Sequence, residues 1–431
     1  MMVIASQMST IRRDIPPSLH LASMSDRSTI LVSIHGPDHP GISAALMDVL
    51  ADTEAEIYDV EQIVVRGRLT LNVLIGVTGE NATIKDLLMF GWEEGLHIEF
   101  EVVEPQPTPA KRLIVVTVLG ERIGPDDFGA VARSIAEGEG NIERIFRLSR
   151  YPVISYELVV SDGDIDRMRE KLILTAAERP IDIAIQPEGL ERRAKRLVVL
   201  DIDSTLIQNE VINLLADEAG VGAEVSVITD RAMRGEIDFE ESLRARVARL
   251  KGLDHAAIDR VHQAITVTPG ARTFIRTLKR MGMKTAIVSA GFTRFADRLA
   301  ADLGIDYTLS NTLEESDGIL TGSLTGELVD GPRKARFLEE IAAAEGITTS
   351  QVVAVGDGAN DLHMLAVAGL GIAFNAKPVL RSSADTSVSV PFLDAILFLM
   401  GVRREQVEAA DAADPDHEDR PLMDVPGTPP L

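Results

Sequence analysis

Three short apolar runs, each closed by a small polar motif, constrain this chain more than any other feature. Arg196-Leu197-Val198-Val199-Leu200 ends in Asp201-Ile202-Asp203-Ser204-Thr205. Thr285-Ala286-Ile287-Val288 ends in Ser289-Ala290-Gly291, and Val352-Val353-Ala354-Val355 ends in Gly356-Asp357-Gly358-Ala359-Asn360-Asp361. Continuous apolar runs of this length read as strands buried on both faces of a parallel sheet. Open α/β sheets bind ligands at the carboxyl ends of such strands. The three runs therefore deliver acids, a hydroxyl and backbone amides to one rim.

Residues two apart in an extended segment point to the same side, so Asp201 and Asp203 face one spot. Two close carboxylates repel unless a cation or a shared proton intervenes. A hard divalent metal supplies the cation, neutralises phosphate oxygens and polarises phosphorus. One carboxylate is then free to act as nucleophile while the other moves protons. Alone, Asp-x-Asp-x-Thr also fits an Asx turn or a helix cap. Lys334, opening a helical stretch with Phe337, Leu338 and Ile341, adds positive charge to the set. The combination reads as a phosphate site with its metal. The chain has no cysteine, which excludes thiolate metal sites and disulfides and fits a reducing cytosol. Its 8 histidines show no zinc-ligand spacing on a helix.

The N-terminal half reads as a repeat. Ile30–Gly36 and Ile114–Gly120 are matching strands that each end at a glycine, followed by Asp38 to Gly41 in the first copy and Asp126 to Gly129 in the second. Helical spacing follows in both, at Ile42, Leu46, Val49 and Leu50, and at Phe128, Val131, Ala132 and Ile135. Strands over Ile57–Val65 and Leu69–Val77, a helix over about Ile84–Glu94 and a strand over Ile98–Val103 complete βαββαβ, a ferredoxin-like module. A Pro-rich stretch, Glu104–Pro109, reads as the linker between the copies, and a second break falls near Pro187-Glu188-Gly189.

The element order with Asp-x-x-Gly after the first strand resembles the ACT family of amino-acid-sensing domains, as a tandem pair over about Thr29–Gln186. That resemblance implies an amino-acid effector, L-serine or another amino acid, at Asp38, Gly41, Asp126 and Gly129, where a helix N-terminus attracts a carboxylate. The ordered motifs Asp-x-Asp-Ser-Thr, Ser-x-Gly, Lys and Gly-Asp-Gly-x-Asn-Asp resemble the haloacid dehalogenase (HAD) superfamily over about Lys195–Gly401. Within it the chain resembles the phosphoserine phosphatase family, through Glu210, nine residues after Asp201, and the segment Met233–Arg246. The resemblance implies a HAD-like Rossmannoid parallel sheet with a helical cap, Mg²⁺ as cofactor and phosphoserine as substrate. It implies Asp201 as nucleophile and metal ligand, and Asp203 as general acid and base whose carbonyl touches the metal. Asp357 is the second carboxylate ligand, with Asp361 supporting the metal shell from behind. Ser289, the Ala290 amide, Lys334 and Asn360 hold the phosphate, although the family often carries glycine at the place of Ala290. In the cap, Glu210 pairs with the substrate ammonium, Arg246 grips its carboxylate and Phe239 covers the site.

The expected organisation is a loose extension over 1–28, ACT domains over 29–104 and 112–187, a HAD domain over 195–401 with its cap at about 208–268, and an acidic disordered tail over 406–431. A chain of 431 residues fits two to four domains. The net charge of −24 argues against nucleic-acid backbones as partners. No apolar run is long and clean enough to span a bilayer, and the first residues lack the pattern of a secretory signal. A cytoplasmic phosphatase is the expectation, and a homodimer follows from the exposed edges of ferredoxin-like sheets.

Overall fold

The computed structural model describes residues 28–78, 80–104, 112–376, 378–381 and 383–414. The Pro-rich stretch from Pro105, nearly all of the N-terminal extension and the end of the acidic tail lie outside the described residues. The chain divides into two units, Met1–Ala110 and Lys111–Leu431.

The first unit is one βαββαβ module: β1 (Ser28–Pro37), α1 (Ile42–Asp52), β2 (Glu56–Val65), β3 (Arg68–Val77), α2 (Glu80–Glu94) and β4 (His97–Val103). Its antiparallel sheet has the order β2-β3-β1-β4. Alternate residues of β1 and β3, among them Ile30, Val32, Ile34, Leu71, Val73 and Ile75, bury one face against α1 and α2. The edge strand β2 is exposed along its whole length, including Ile57, Val60, Ile63 and Val65.

The second unit opens with the same design: β5 (Leu113–Gly120), α3 (Pro125–Glu137), β6 (Asn141–Ser149), β7 (Ile154–Ser161), α4 (Ile165–Glu178) and β8 (Asp182–Pro187), in the order β6-β7-β5-β8. The two copies differ at the step into their first helix. Gly41 caps α1 with a φ of 104°, a left-handed conformation suited to glycine. Gly129, expected to match it, sits inside α3 instead. Gly124 and Pro125 start that helix four residues earlier, and the Asp127 carboxylate accepts the Gly124 amide at 3.0 Å.

After a short turn of helix, α5 (Leu190–Arg193), the chain enters β9 (Leu197–Leu200). Four helices are then inserted: α6 (Val211–Glu218), α7 (Gly222–Met233), α8 (Phe239–Ala248) and α9 (His255–Ala264). There follow α10 (Ala271–Arg280), β10 (Lys284–Phe292), α11 (Thr293–Leu303), β11 (Tyr307–Ser316), β12 (Ile319–Thr325), α12 (Gly331–Ala344), β13 (Val352–Gly356), α13 (Leu362–Val367), β14 (Leu370–Phe374), α14 (Pro378–Arg381), β15 (Thr386–Val388), α15 (Ile396–Leu399) and α16 (Arg404–Ala412). The sheet order is β12-β11-β10-β9-β13-β14-β15, with β11 to β15 parallel except at the β11–β12 hairpin. The protein is thus an α/β chain, a HAD-like sheet preceded by two ferredoxin-like modules.

The second ferredoxin-like module is fixed to the HAD-like sheet. Leu119, Leu148, Val153 and Ala184 belong to the same core cluster as Leu397 and Leu399. The Gln186 side chain donates to the Leu399 carbonyl at 3.0 Å, and buried Asp182 accepts from the Ser389 amide and hydroxyl. Buried Arg192 pairs with Glu157 and Glu188 across the same seam.

The acidic tail begins differently from expectation. Residues 404–412 form α16, with Val407 buried. Asp411 accepts a two-pronged pair of hydrogen bonds from Arg276, at 2.9 and 2.7 Å, and also pairs with Arg280. Arg404 pairs with buried Asp394 at 2.6 Å. Composition read these acids as a solvated run, whereas arginines of α10 neutralise them.

Candidate active site

Register builds the site. β9 lies between β10 and β13, with Leu200 abreast of both Ile287 and Val355. Asp201 follows the paired Leu200 directly, and Ser289 and Asp357 lie two residues beyond their paired positions, so all three reach one rim. The Asp201 amide donates to the Val355 carbonyl at 2.9 Å and keeps the first carboxylate in line with the sheet.

A cavity of about 530 Å³ opens over this rim. Its lining includes Asp201, Asp203, Glu210, Phe239, Arg246, Ser289, Ala290, Asp357 and Asn360, which the sequence scatters over 160 positions. Lys334 lies beneath them at 0 % exposure. Its Nζ stands 2.8 Å from Asp201 Oδ1 and 2.7 Å from Asp361 Oδ1. Burial alone would pull this lysine down, but the two carboxylates override it and hold it protonated, above the usual lysine range. Asp201 also accepts the Ile202 amide at Oδ1, 2.8 Å. Burial, reinforced by Asp361 and opposed by Lys334, raises its carboxyl well above the ordinary value.

Asp203 accepts the Val211 amide at 2.7 Å on one oxygen and the Ser289 hydroxyl at 3.0 Å on the other. Burial first, then Glu210, push its pKa up to about 6. Gly291 permits this close approach. A Cβ there would stand 2.9 Å from both Asp203 Oδ2 and Ser289 Oγ. Asp357 accepts from the Thr205 hydroxyl at 3.3 Å, and burial followed by Asp361 raises it to about 7. Glu210, at the N-terminus of α6, accepts the Ser204 hydroxyl at 2.8 Å. Arg246, on α8, folds back so that its Nε donates to the Ser242 carbonyl at 3.3 Å.

Asp201, Asp357 and Asp361 bring carboxylate oxygens within 4.8 Å of one another. An all-oxygen donor set with unrelieved negative charge fits a hard cation such as Mg²⁺. Asp361 is the most committed of the three, because Lys334 takes one oxygen and the Gly358 amide the other.

Four contributors escape the sequence reading. Ser204 and Thr205 lie inside the motif, but their partners Glu210 and Asp357 become evident only in three dimensions. Ser204 also adopts a φ of 57°, which turns the chain from β9 and Asp201 into the insertion. Asn311, at 2 % exposure, donates to the Ala290 carbonyl at 2.7 Å and accepts the Val329 amide at 2.9 Å, and so fixes the Ser289–Gly291 loop. No local pattern marks it. Ser242 lines the cavity from α8. Asp38, Gly41, Asp126 and Gly129 belong to the two ferredoxin-like modules. Asp38 and Asp126 are exposed.

Comparison with known proteins now defines the class. The profile of haloacid dehalogenase-like hydrolases matches residues 198–366, and ACT-domain profiles match 28–101 and 114–186. A HAD family hydrolase structure from Salmonella enterica superposes over 67 % of this chain and 98 % of its own, with a TM-score of 0.60 and 29 % identity. Among curated proteins, the phosphoserine phosphatase of Streptomyces coelicolor is 49 % identical over 94 % of this chain and 98 % of its own length. The phosphoserine phosphatase SerB2 of Mycobacterium tuberculosis is 46 % identical over 91 % and 97 %. The chain belongs to the phosphoserine phosphatase family of HAD-like hydrolases, with two ACT domains, and is a phosphatase. No described helix is long and apolar enough to cross a membrane.

Proposed function

We propose that the protein hydrolyses O-phospho-L-serine to serine and phosphate through an aspartyl-phosphate on Asp201. The observation that carries this reading is the Asp201–Lys334–Asp361 arrangement beneath a cavity whose roof presents both Glu210 and Arg246. Asp201 Oδ1 is held by Lys334 and the Ile202 amide, so Oδ2 is the oxygen assigned to attack. The bond from phosphorus to the serine oxygen breaks as the bond to Oδ2 forms. Asp203, raised to about 6, gives its proton to the departing alkoxide and then takes one from the water that opens the phosphoenzyme. Protonation of a poor leaving group is worth roughly 10²–10⁴-fold.

Asp201, Asp357 and the backbone carbonyl of Asp203 would hold Mg²⁺, which supplies positive charge to the phosphoryl oxygens when bound. The Ser289 hydroxyl, the Ala290 amide, Lys334 and Asn360 hold the phosphate. Glu210 pairs with the ammonium and Arg246 with the carboxylate, and Phe239 shields the site. The four-helix insertion α6–α9 acts as the cap. Serine, the product, is the effector assigned to the ACT domains, at the turn formed by Asp38 and Gly41. In the second domain Gly124 to Asp126 occupies that place and Gly129 lies further into the helix. The exposed β2 edge supports a homodimer, and the cysteine-free composition supports a cytoplasmic enzyme.

Phosphate release from phosphoserine, with and without Mg²⁺, tests the reading. Metal-dependent release is expected, together with a trapped phosphoenzyme whose label disappears in Asp201→Asn. Release from other phosphate esters but not from phosphoserine would move the substrate to another phosphorylated metabolite or a phosphoprotein.

A further inference from the structure

One polar group in the cavity wall has no partner. Ser242 is 2 % exposed, and among the described residues its hydroxyl is buried without a hydrogen bond. Buried polar atoms are nearly always paired, and leaving one unpaired costs stability. A serine in mid-helix would ordinarily bond back to the carbonyl four residues earlier. Here the Asp238 carbonyl accepts the Ser242 amide, and the hydroxyl makes no bond. Alanine would fit the same space without this cost.

The position of Ser242 suggests what the hydroxyl serves. Phe239, Ser242 and Arg246 are three and four residues apart on α8, so they share one face, and all three line the cavity. The Arg246 Nε lies against the Ser242 carbonyl at 3.3 Å. An anion drawn to the guanidinium would therefore arrive beside Ser242.

We propose that Ser242 is a specificity-determining residue whose hydroxyl donates to the substrate's carboxylate beside Arg246. This rests on the phosphoserine reading above. Arg246 supplies the charge and the planar fork, and Ser242 supplies a donor from the helix face. The carboxylate then has partners from two directions, which fixes its orientation. The hydroxyl stays unpaired in the free enzyme and is satisfied only by a ligand with an acid group at that spot.

Steady-state kinetics of Ser242→Ala test this on phosphoserine and on O-phosphoethanolamine, which keeps the phosphate and ammonium and lacks the carboxylate. The expected result is a rise in KM for phosphoserine of about tenfold, the loss of one hydrogen bond to a charged group, with kcat little changed. KM for phosphoethanolamine stays as in wild type. The melting temperature of the ligand-free variant is unchanged or higher, because an unpaired buried hydroxyl has gone. Ser242→Thr, which keeps the hydroxyl, recovers most of the phosphoserine KM. An unchanged KM with a higher melting temperature would overturn the inference and leave Ser242 as a plain stability cost. Equal KM increases for both substrates would overturn it as a packing defect. If wild type turns over phosphoserine and the variant matches it, this inference alone fails. No wild-type turnover of phosphoserine would remove both readings.

Discussion

The floor and the roof of the cavity are held in different ways. The floor consists of Asp201, Lys334 and Asp361, at 4 %, 0 % and 0 % exposure, with every polar contact made by backbone or by one another. The roof consists of Glu210, Phe239 and Arg246, which are exposed or half-buried and rest on insertion helices. Floor geometry is inherited from sheet register. Roof geometry depends on how four helices pack over the rim. On the proposed reading, chemistry common to phosphate esters sits where the protein is stiffest, and recognition of one particular ester sits where side chains still have room to move.

This contrast makes fold and catalysis inseparable on the floor and separable on the roof. The largest expected effect is that of Lys334→Met. It leaves Asp201 and Asp361 buried without their shared cation, which costs about 3–5 kcal/mol. It also removes a donor at the phosphoryl group, lowering kcat by about 10²–10³-fold. Urea denaturation and kcat should fall together. A variant with normal stability and a large kcat loss would show that the floor is not the stiff unit described.

The next effect concerns protons. Asp203 and Asp357 are raised to about 6 and about 7, from ordinary values near 4. The folded, metal-free protein thus binds more protons than the unfolded chain across that interval. The stability these groups contribute is fully present below about pH 4 and is lost as pH rises through about 7. On the proposed assignment of Asp357 as a ligand, Mg²⁺ has to displace its proton, so its affinity should increase with pH by up to about tenfold per unit below 7. Calorimetric titration of Mg²⁺ at pH 5.5, 6.5 and 7.5 measures this. A flat profile would mean that Asp357 is ionised before the metal arrives.

Arg246→Ala should leave the floor untouched. We expect KM for phosphoserine to rise by about 10–100-fold, as a charge-assisted pair is lost, with a small change for an ester lacking the carboxylate. Unfolding should shift little, because among the described residues Arg246 makes one long hydrogen bond. An equal loss on both substrates would move Arg246 from recognition to support of the cap.

The same contrast explains what could be read from the residues in order. Asp201 directly follows one apolar run and Asp361 closes the polar motif that follows another, so a local pattern marks each and parallel pairing does the rest. Glu210, Phe239 and Arg246 stood out only through resemblance to a family, since a helix bearing Arg244, Arg246 and Arg249 looks like a solvated face. Asn311 and Ser242 were silent because their roles come from partners brought near by the fold. The acidic tail misled for a related reason. The arginines that pair with Asp411 lie over 130 residues away. Gly129 misled because proline at the start of a helix moved the cap upstream of the glycine that seemed to mark it.

Ser204 joins roof to floor, and its effect should be the smallest. Its left-handed backbone carries the chain out of the Asp201–Asp203 loop, and its hydroxyl steadies Glu210 at 2.8 Å. Ser204→Ala keeps the carboxylate but frees it to wander, a loss on the order of one neutral-to-charged hydrogen bond at an exposed site. KM for phosphoserine should rise by about two- to fivefold, with phosphoenzyme formation intact. A loss confined to kcat would instead place the hydroxyl's influence on Asp203, one residue away, and would make Ser204 part of the floor.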